Sequence, residues 1–278
     1  MKAKAPRKNA APKQNNWYLQ VGAVLTAFVV LLTLIGSVWT PYDPSAMDFQ
    51  RLDAPSIQHI MGTDNFGRDI FSRVLQGAKT TLTIALAVVA IGAFFGTLIG
   101  AFTGYLGGIV DEVLMRLCDA ITAFPNVMLA LVIVAILGPG EKNVIWVLGI
   151  LFIPSFAKVV RGQFTRIKDS YYIRSARLMG AGPLRIIFVH LMPNVLPVLV
   201  PSITIGINNA VLAEASMSFL GVGVSANKPS LGRMLSESQN FLVSGAPWYA
   251  IAVGLSIVIL VLGLSLLGEG LQQKRRDE

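Results

Sequence analysis

The chain has 278 residues, of which 54% are hydrophobic and only 14% charged, with a formal net charge of +8. An ordinary soluble domain is about a quarter charged, so lipid is the solvent for most of this chain, and what remains outside the apolar runs is too short to bury a core of its own. Cys118 is the only cysteine, which excludes an intrachain disulfide and a cysteine-built metal site.

The first 18 residues carry Lys2, Lys4, Arg7, Lys8 and Lys13 and no acid. Such a composition buries too little apolar surface to order itself, so a disordered basic tail is expected. Residues 19–79 follow as a first span with its loop. Leu19 to Trp39 is uncharged and has the ~20 residues that cross a hydrocarbon core, with Trp17, Tyr18 and Trp39 as interfacial aromatics. A cleavable signal has a shorter apolar core, so the run reads as an uncleaved anchor. Pro41 to Lys79 is polar, with Pro41, Pro44 and Pro55, and reads as an extended external loop ending in a short helix.

Residues 80–270 form the core. The second span, Thr80 to Val110, places Gly92, Gly96, Gly100 and Gly104 four apart, a stripe that lets another backbone approach. A third span, Leu117 to Leu137, contains Pro125, and Gly138-Pro-Gly140 then turns the chain. A fourth begins near Asn143 and ends at Lys158 and Arg161, whose stems snorkel to the interface. A basic loop over 158–190 leads to a fifth span, Leu191 to Ala213. A second external loop, Gly221 to Pro247, and a sixth span, Trp248 to Gly268, precede a short tail over 271–278. Six spans bring both termini to one side. That side carries Lys and Arg heavily, while the opposite loops balance their bases with acids, so the termini and the central loop are expected in the cytoplasm. The charge is a topology signal and calls for no nucleic acid.

No phosphate-cradling G-x-x-x-x-G-K-[ST] occurs, and no His/acid cluster has metal spacing, His59 and His190 falling on opposite sides. No catalytic residue is assigned. Asp119 and Glu214, the acids that an ion-coupled carrier would need, both fall near predicted helix ends and read as interfacial. The work is therefore expected to come from outside the chain.

The central loop is where it would enter. Asp169 or Ser170 can cap a short helix, Tyr172, Ala176 and Met179 share one face, and Gly180 supplies a left-handed stop. Such a helix is too short to be stable alone and wants a partner surface. The competing reading is an amphipathic segment on anionic lipid, held by Arg166, Lys168, Arg174 and Arg177.

Arg174-Ser175-Ala176, Gly180, His190, Met192 and Pro193 resemble the E-A-A-x-x-x-G-x9-I-x-L-P pattern of bacterial ABC importer membrane subunits, matching at Ala176, Gly180 and Pro193. His59-Ile-Met-Gly-Thr-Asp-Asn-Phe-Gly-Arg-Asp69 is similar to the H-x-x-G-T-D-x-x-G-R-D signature of the "C" permeases of dipeptide, oligopeptide and nickel importers. So is Ser218-Phe-Leu-Gly-Val-Gly223 with Pro229, Gly232 and Met234, although Leu231 stands where a Trp is common. The resemblance implies an all-α integral membrane protein with six transmembrane helices, the type I importer permease fold, in a bacterial inner membrane.

It further implies a coupling helix at Tyr171 to Ala181, with Tyr172, Arg174, Ser175, Ala176, Arg177, Gly180 and Pro193 facing one of two cytoplasmic ATPases. A second permease and an extracytoplasmic binding protein would complete the assembly. ATP and magnesium would be held by the ATPases and no cofactor by this chain. Short peptides are the expected cargo, with nickel or a metal chelate as the alternative. His59, Gly62, Thr63, Asp64, Gly67, Arg68 and Asp69 would form either a structural turn or a gate and docking surface. From the residues themselves, Pro193, Pro197 and Pro201, four apart, read as bending a pathway helix or as marking a late helix start, and Asn208 and Asn209 as pathway residues or as interhelical hydrogen-bond partners. The glycine stripe is a packing face, with the partner permease as one candidate occupant.

Overall fold

The computed structural model describes residues 17–225, 227–243 and 245–277, with side chains through Lys274. The expected basic tail lies, apart from Trp17 and Tyr18, outside them. Among the described residues the regular structure is helical: α1 (Trp17–Val38), α2 (Ile70–Leu106), α3 (Gly108–Thr122), α4 (Asn126–Leu137), α5 (Glu141–Ile167), α6 (Tyr171–Leu178) and α7 (Pro183–Arg185). A π-helical turn, Ile186–Leu191, then leads into α8 (Met192–Phe219), followed by α9 (Leu231–Leu242) and α10 (Pro247–Asp277). Among the described residues five helices are long and apolar enough to cross a membrane, and α3 with α4 makes a sixth only as a pair bent by 82°.

Two expectations need correcting. The short helix foreseen before Lys79 is not separate: α2 runs unbroken for 37 residues from Ile70, about 55 Å at 1.5 Å per residue. Asp69 starts it, its Oδ2 accepting the Ser72 N–H at 2.8 Å as an N-cap. Arg73 and Lys79 made this stretch look like loop, yet Arg73 is buried among acids. The third span is not one helix either. Pro125 has no N–H to continue the ladder and pushes Phe124 away from helical geometry. The 12 residues of α4 reach only about 18 Å, short of the ~30 Å hydrocarbon core.

The bundle is organised on α2 and α5. A Cβ on Gly92, Gly96, Gly100 or Gly104 would come within 2.9 Å of the side chains of Phe152, Phe156, Val160 and Phe164 in turn. Both series ascend by four, so the two helices run parallel with their backbones in near contact. The stripe is thus filled within this chain by α5, and the partner permease is not its occupant. α1 packs antiparallel on α10, where a Cβ on Gly22 would stand 2.3 Å from the Leu267 nitrogen and one on Gly270 would stand 2.5 Å from Leu19. Both ends of the described chain therefore lie at the same end of the bundle. Lys158 pairs with Asp119 at 2.8 Å, and Arg161 Nη2 donates to Asp111 Oδ2 at 2.6 Å, pinning α3 to the last turns of α5.

Candidate functional site

Three regions carry the residues singled out above. At the end shared by the termini, α6 closes in a Schellman motif. Gly180, at φ +85°, donates to the Arg177 carbonyl, and Ala181 donates to the Ala176 carbonyl, both at 3.0 Å. Ile173 and Ala176 are buried, while Tyr171, Tyr172, Arg174, Ser175, Leu178 and Met179 are exposed. This corrects the expected face: Ile173 joins Ala176 inside, and Tyr172 and Met179 turn outward. A helix with apolar residues on two sides gives no sequence signal for which side the bundle covers. Asn194 Nδ2 donates to the Tyr172 hydroxyl at 3.3 Å and to the His190 carbonyl at 2.7 Å. The Arg177 guanidinium lies 5.4 Å over the Tyr105 ring, which ties α6 to the end of α2. Pro193 is exposed in the first turn of α8.

In mid-bundle, α4, α5 and α8 enclose a cleft of about 460 Å³ lined by Asn126, Ser155, Ser202, Asn209 and Ser216 beside Phe152 and Phe156. Asn209 is the one expected pathway residue on its wall. Asn208 turns its Oδ1 into the interior, where it has no partner; Pro201 is buried and Pro197 exposed. α8 passes both prolines as one helix, and the irregular turn comes earlier, where the Met192 N–H reaches back to the Ile187 carbonyl. Ser202, Asn209 and Ser216 are spaced by seven, which places them on one helical face. That period was the available signal for the two serines. Ser202 and Ser216 donate to the carbonyls of Val198 and Leu212, four residues back, so the wall presents hydroxyl lone pairs and amide groups and no ionisable side chain.

At the opposite end, external in the topology above, the segment around His59 to Asp69 folds on itself and then reaches across the bundle. His59 Nδ1 lies 2.9 Å from Asp69 Oδ1, both residues buried. Asp64 Oδ1 accepts the N–H groups of Phe66 and Arg68, and Oδ2 accepts Arg68 Nε at 2.6 Å. The Thr63 hydroxyl accepts the Asp53 N–H at 2.8 Å. Gly62 and Gly67 sit at φ +76° and +79°, and a Cβ at either would strike the Asp53 or Phe49 carbonyl oxygen. Arg73 Nη2 donates to Glu237 on α9 at 3.2 Å, Arg233 Nε donates to the same carboxylate at 3.3 Å, and so does the buried Tyr249 hydroxyl. Asp69 pairs with His59 inside the segment, and the Asp64–Arg68 pair continues through Arg73 into α9.

The two acids weighed for ion coupling differ in setting. Asp119 is exposed but paired with Lys158. Glu214 is wholly buried.

Residues 96–277 match the family described as "Binding-protein-dependent transport system inner membrane component". The chain belongs to this family. It is therefore a multi-pass membrane component of a binding-protein-dependent transport system, a permease. The dipeptide transport system permease protein DppC of Alkalihalophilus pseudofirmus is 37% identical over 253 residues, covering 90% of this chain and 82% of that one. The glutathione transport system permease protein GsiD of Pectobacterium atrosepticum is 40% identical over 256 residues, covering 90% and 85%. A solved inward-facing structure of the MetNI methionine ABC transporter superposes at a TM-score of 0.60, with 21% identity, covering 74% of this permease and 96% of that chain. At that identity the match shows a shared fold, the ABC importer permease fold.

Proposed function

We propose that this permease is one of two membrane subunits that form the pathway of an ATP-driven importer of short peptides. The peptide class is supported by relatives named for dipeptide and glutathione transport. In this reading α6 docks on one of two cytoplasmic ATPases, which bind ATP and magnesium while this chain binds neither and catalyses nothing. A second permease supplies the other wall of the pathway, a binding protein delivers cargo to the external face around residues 40–69, and both termini are cytoplasmic. The cleft wall of Asn126, Ser155, Ser202, Asn209 and Ser216 suits the amides of a peptide. A nickel path would need ionisable or soft ligands, so nickel is less well supported.

The observation that carries the coupling assignment is the orientation of α6. Ile173 and Ala176 anchor it, while Tyr171, Leu178 and Met179 stand 88%, 90% and 81% exposed. Exposed apolar side chains on an anchored helix fit a protein partner. A lipid-surface role would rest instead on Arg174 and Arg177, solvated charges of small energetic weight. Leu178→Glu, which disturbs no buried contact, is expected to lower ATP-dependent uptake by the reconstituted transporter at least ~10-fold while insertion and melting stay unchanged. Uptake at the wild-type rate would remove the coupling role. A cysteine replacing the exposed Asp169 is expected to react only from the cytoplasmic side, and labelling from outside would invert the topology.

A further inference from the structure

Glu214 is fully buried in α8, and among the described residues no ion pair involves it. Its Oε1 accepts the Ser218 hydroxyl at 2.6 Å. The hydroxyls of Thr81, on α2, and Ser230, the N-cap of α9, are buried beside it without closing a bond to it. Its Oε2 is buried with no bond closed, so acceptor capacity remains for them.

The three hydroxyls share a second property. Ser218 Oγ accepts the Val224 N–H at 3.1 Å, Thr81 Oγ1 accepts the Leu231 N–H at 3.4 Å, and Ser230 Oγ accepts the Arg233 N–H at 3.3 Å. A hydroxyl has one hydrogen to give. In each case its oxygen holds a backbone N–H of the external segment, which leaves the hydrogen for the carboxyl. Two of those N–H groups belong to the first turn of α9, which has no intrahelical acceptors for them. A hydroxyl that donates to a strong acceptor is itself a better acceptor, so the carboxyl strengthens the Ser218 grip, and a bond to Thr81 or Ser230 would strengthen the other two in the same way. Packing alone does not account for an acid here, since a buried carboxyl costs free energy that an apolar side chain of similar size does not.

We propose that Glu214 is a positioning residue for transport: its carboxyl gathers Thr81, Ser218 and Ser230 and through them holds α9 against α2 and α8 at the outer end of the cleft. The placement is close. A Cβ on Gly232 of α9 would stand 2.2 Å from the Ala215 carbonyl oxygen, and Ala213 and Ser216, either side of Ala215, line the cleft. α9 also carries Arg233 and Glu237 of the external ion network, so the same anchor sets where that network meets Arg73.

The test uses the assembled transporter in proteoliposomes, with Cys118 replaced by Ser and a reporter cysteine at Ser238, a fully buried position on α9. An external, membrane-impermeant maleimide reads the release of α9. Glu214→Leu is expected to raise the labelling rate at least ~5-fold and to lower peptide uptake at least ~10-fold while ATP hydrolysis continues. Glu214→Gln, which keeps the shape but has one acceptor oxygen, is expected to fall between. Should Glu214→Leu fail to assemble, Thr81→Val and Ser230→Ala remove single hydroxyls at nearly constant size and are each expected to raise labelling ~2-fold or more. Unchanged labelling in Glu214→Leu, or in both hydroxyl variants, overturns the proposal. The uptake arm rests on the permease importing peptides, whereas the labelling arm does not. Faster labelling in a transporter that moves no peptide therefore refutes only the cargo.

Discussion

Gly100 of α2 lies against the backbone of Ala157 on α5, so closely that a Cβ on the glycine would stand 2.4 Å from the Ala157 carbonyl oxygen. The contact is the tightest point of the parallel α2–α5 pair, and it cannot be relieved by a rotamer change because the obstacle is main chain. Gly100→Ala is expected to force the helices apart at a cost of about 1–3 kcal/mol, seen as a lower melting midpoint of the detergent-solubilised protein. Gly162, on the exposed side of α5 with nothing within 4 Å of its would-be Cβ, is the control. Gly162→Ala should leave stability equal or higher by up to about 1 kcal/mol, since alanine favours the helix.

Asp69 serves two partners with two oxygens: Oδ2 caps α2 and Oδ1 meets His59. Asp69→Ala loses both and leaves a buried imidazole nitrogen unpaired, so a loss of about 2–3 kcal/mol is expected. Asp69→Asn retains one oxygen for the cap and should cost less, about 1 kcal/mol. Melting of the two variants side by side separates the cap from the pair.

Glu237 is the acid on which Arg73, Arg233 and the Tyr249 hydroxyl converge. Without its charge, Asp64 alone faces the largely buried Arg68 and Arg73. Glu237→Gln is expected to destabilise by about 2 kcal/mol. The Lys228–Glu141 pair, with the lysine side chain 62% exposed, provides the contrast. Lys228→Ala should change stability by less than about 0.5 kcal/mol, as read by melting in the same detergent.

The cleft predicts a separation between substitutions on one helix. Ser202→Leu and Asn209→Leu project bulk into it and are expected to lower uptake about 10-fold, whereas Leu196→Ala, half exposed on the outer face of α8, should leave it unchanged. Because the wall carries no ionisable group, Asn209→Asp should introduce a preference for cationic over anionic peptides. Uptake by vesicles carrying each variant, measured with peptides of both charges, checks all three outcomes.

Much of this could be seen in the residues alone. Uncharged runs of about 20 residues mark where the chain is in lipid, because a single buried charge there is costly. The bias of Lys and Arg orders the loops, and the signatures around Asp64 and Ser218 pointed to the family. Gly180 was legible as a left-handed stop because a β-carbon penalises that conformation in other residues.

Other features depended on partners far apart in the chain. Arg73 marks α2 as loop until Asp64 and Glu237 are seen to enclose it, so the start of that helix was misplaced. Pro125 inside an apolar run is compatible with a kink or a break, and only the packing of α3 on α5 through Asp111 and Arg161 makes it a break. The glycine stripe announces a close neighbour without naming it, since a period of four marks one helical face but not which other helix packs on it. Glu214 shows the same limit most sharply. Composition and position alone read as an acid near a helix end; its role depends on Thr81 and on Leu231, 150 residues apart in the chain. Local propensity and hydropathy act over a turn or a span and can be read from the sequence, whereas the pairing of buried polar groups is decided only when the bundle brings their helices together.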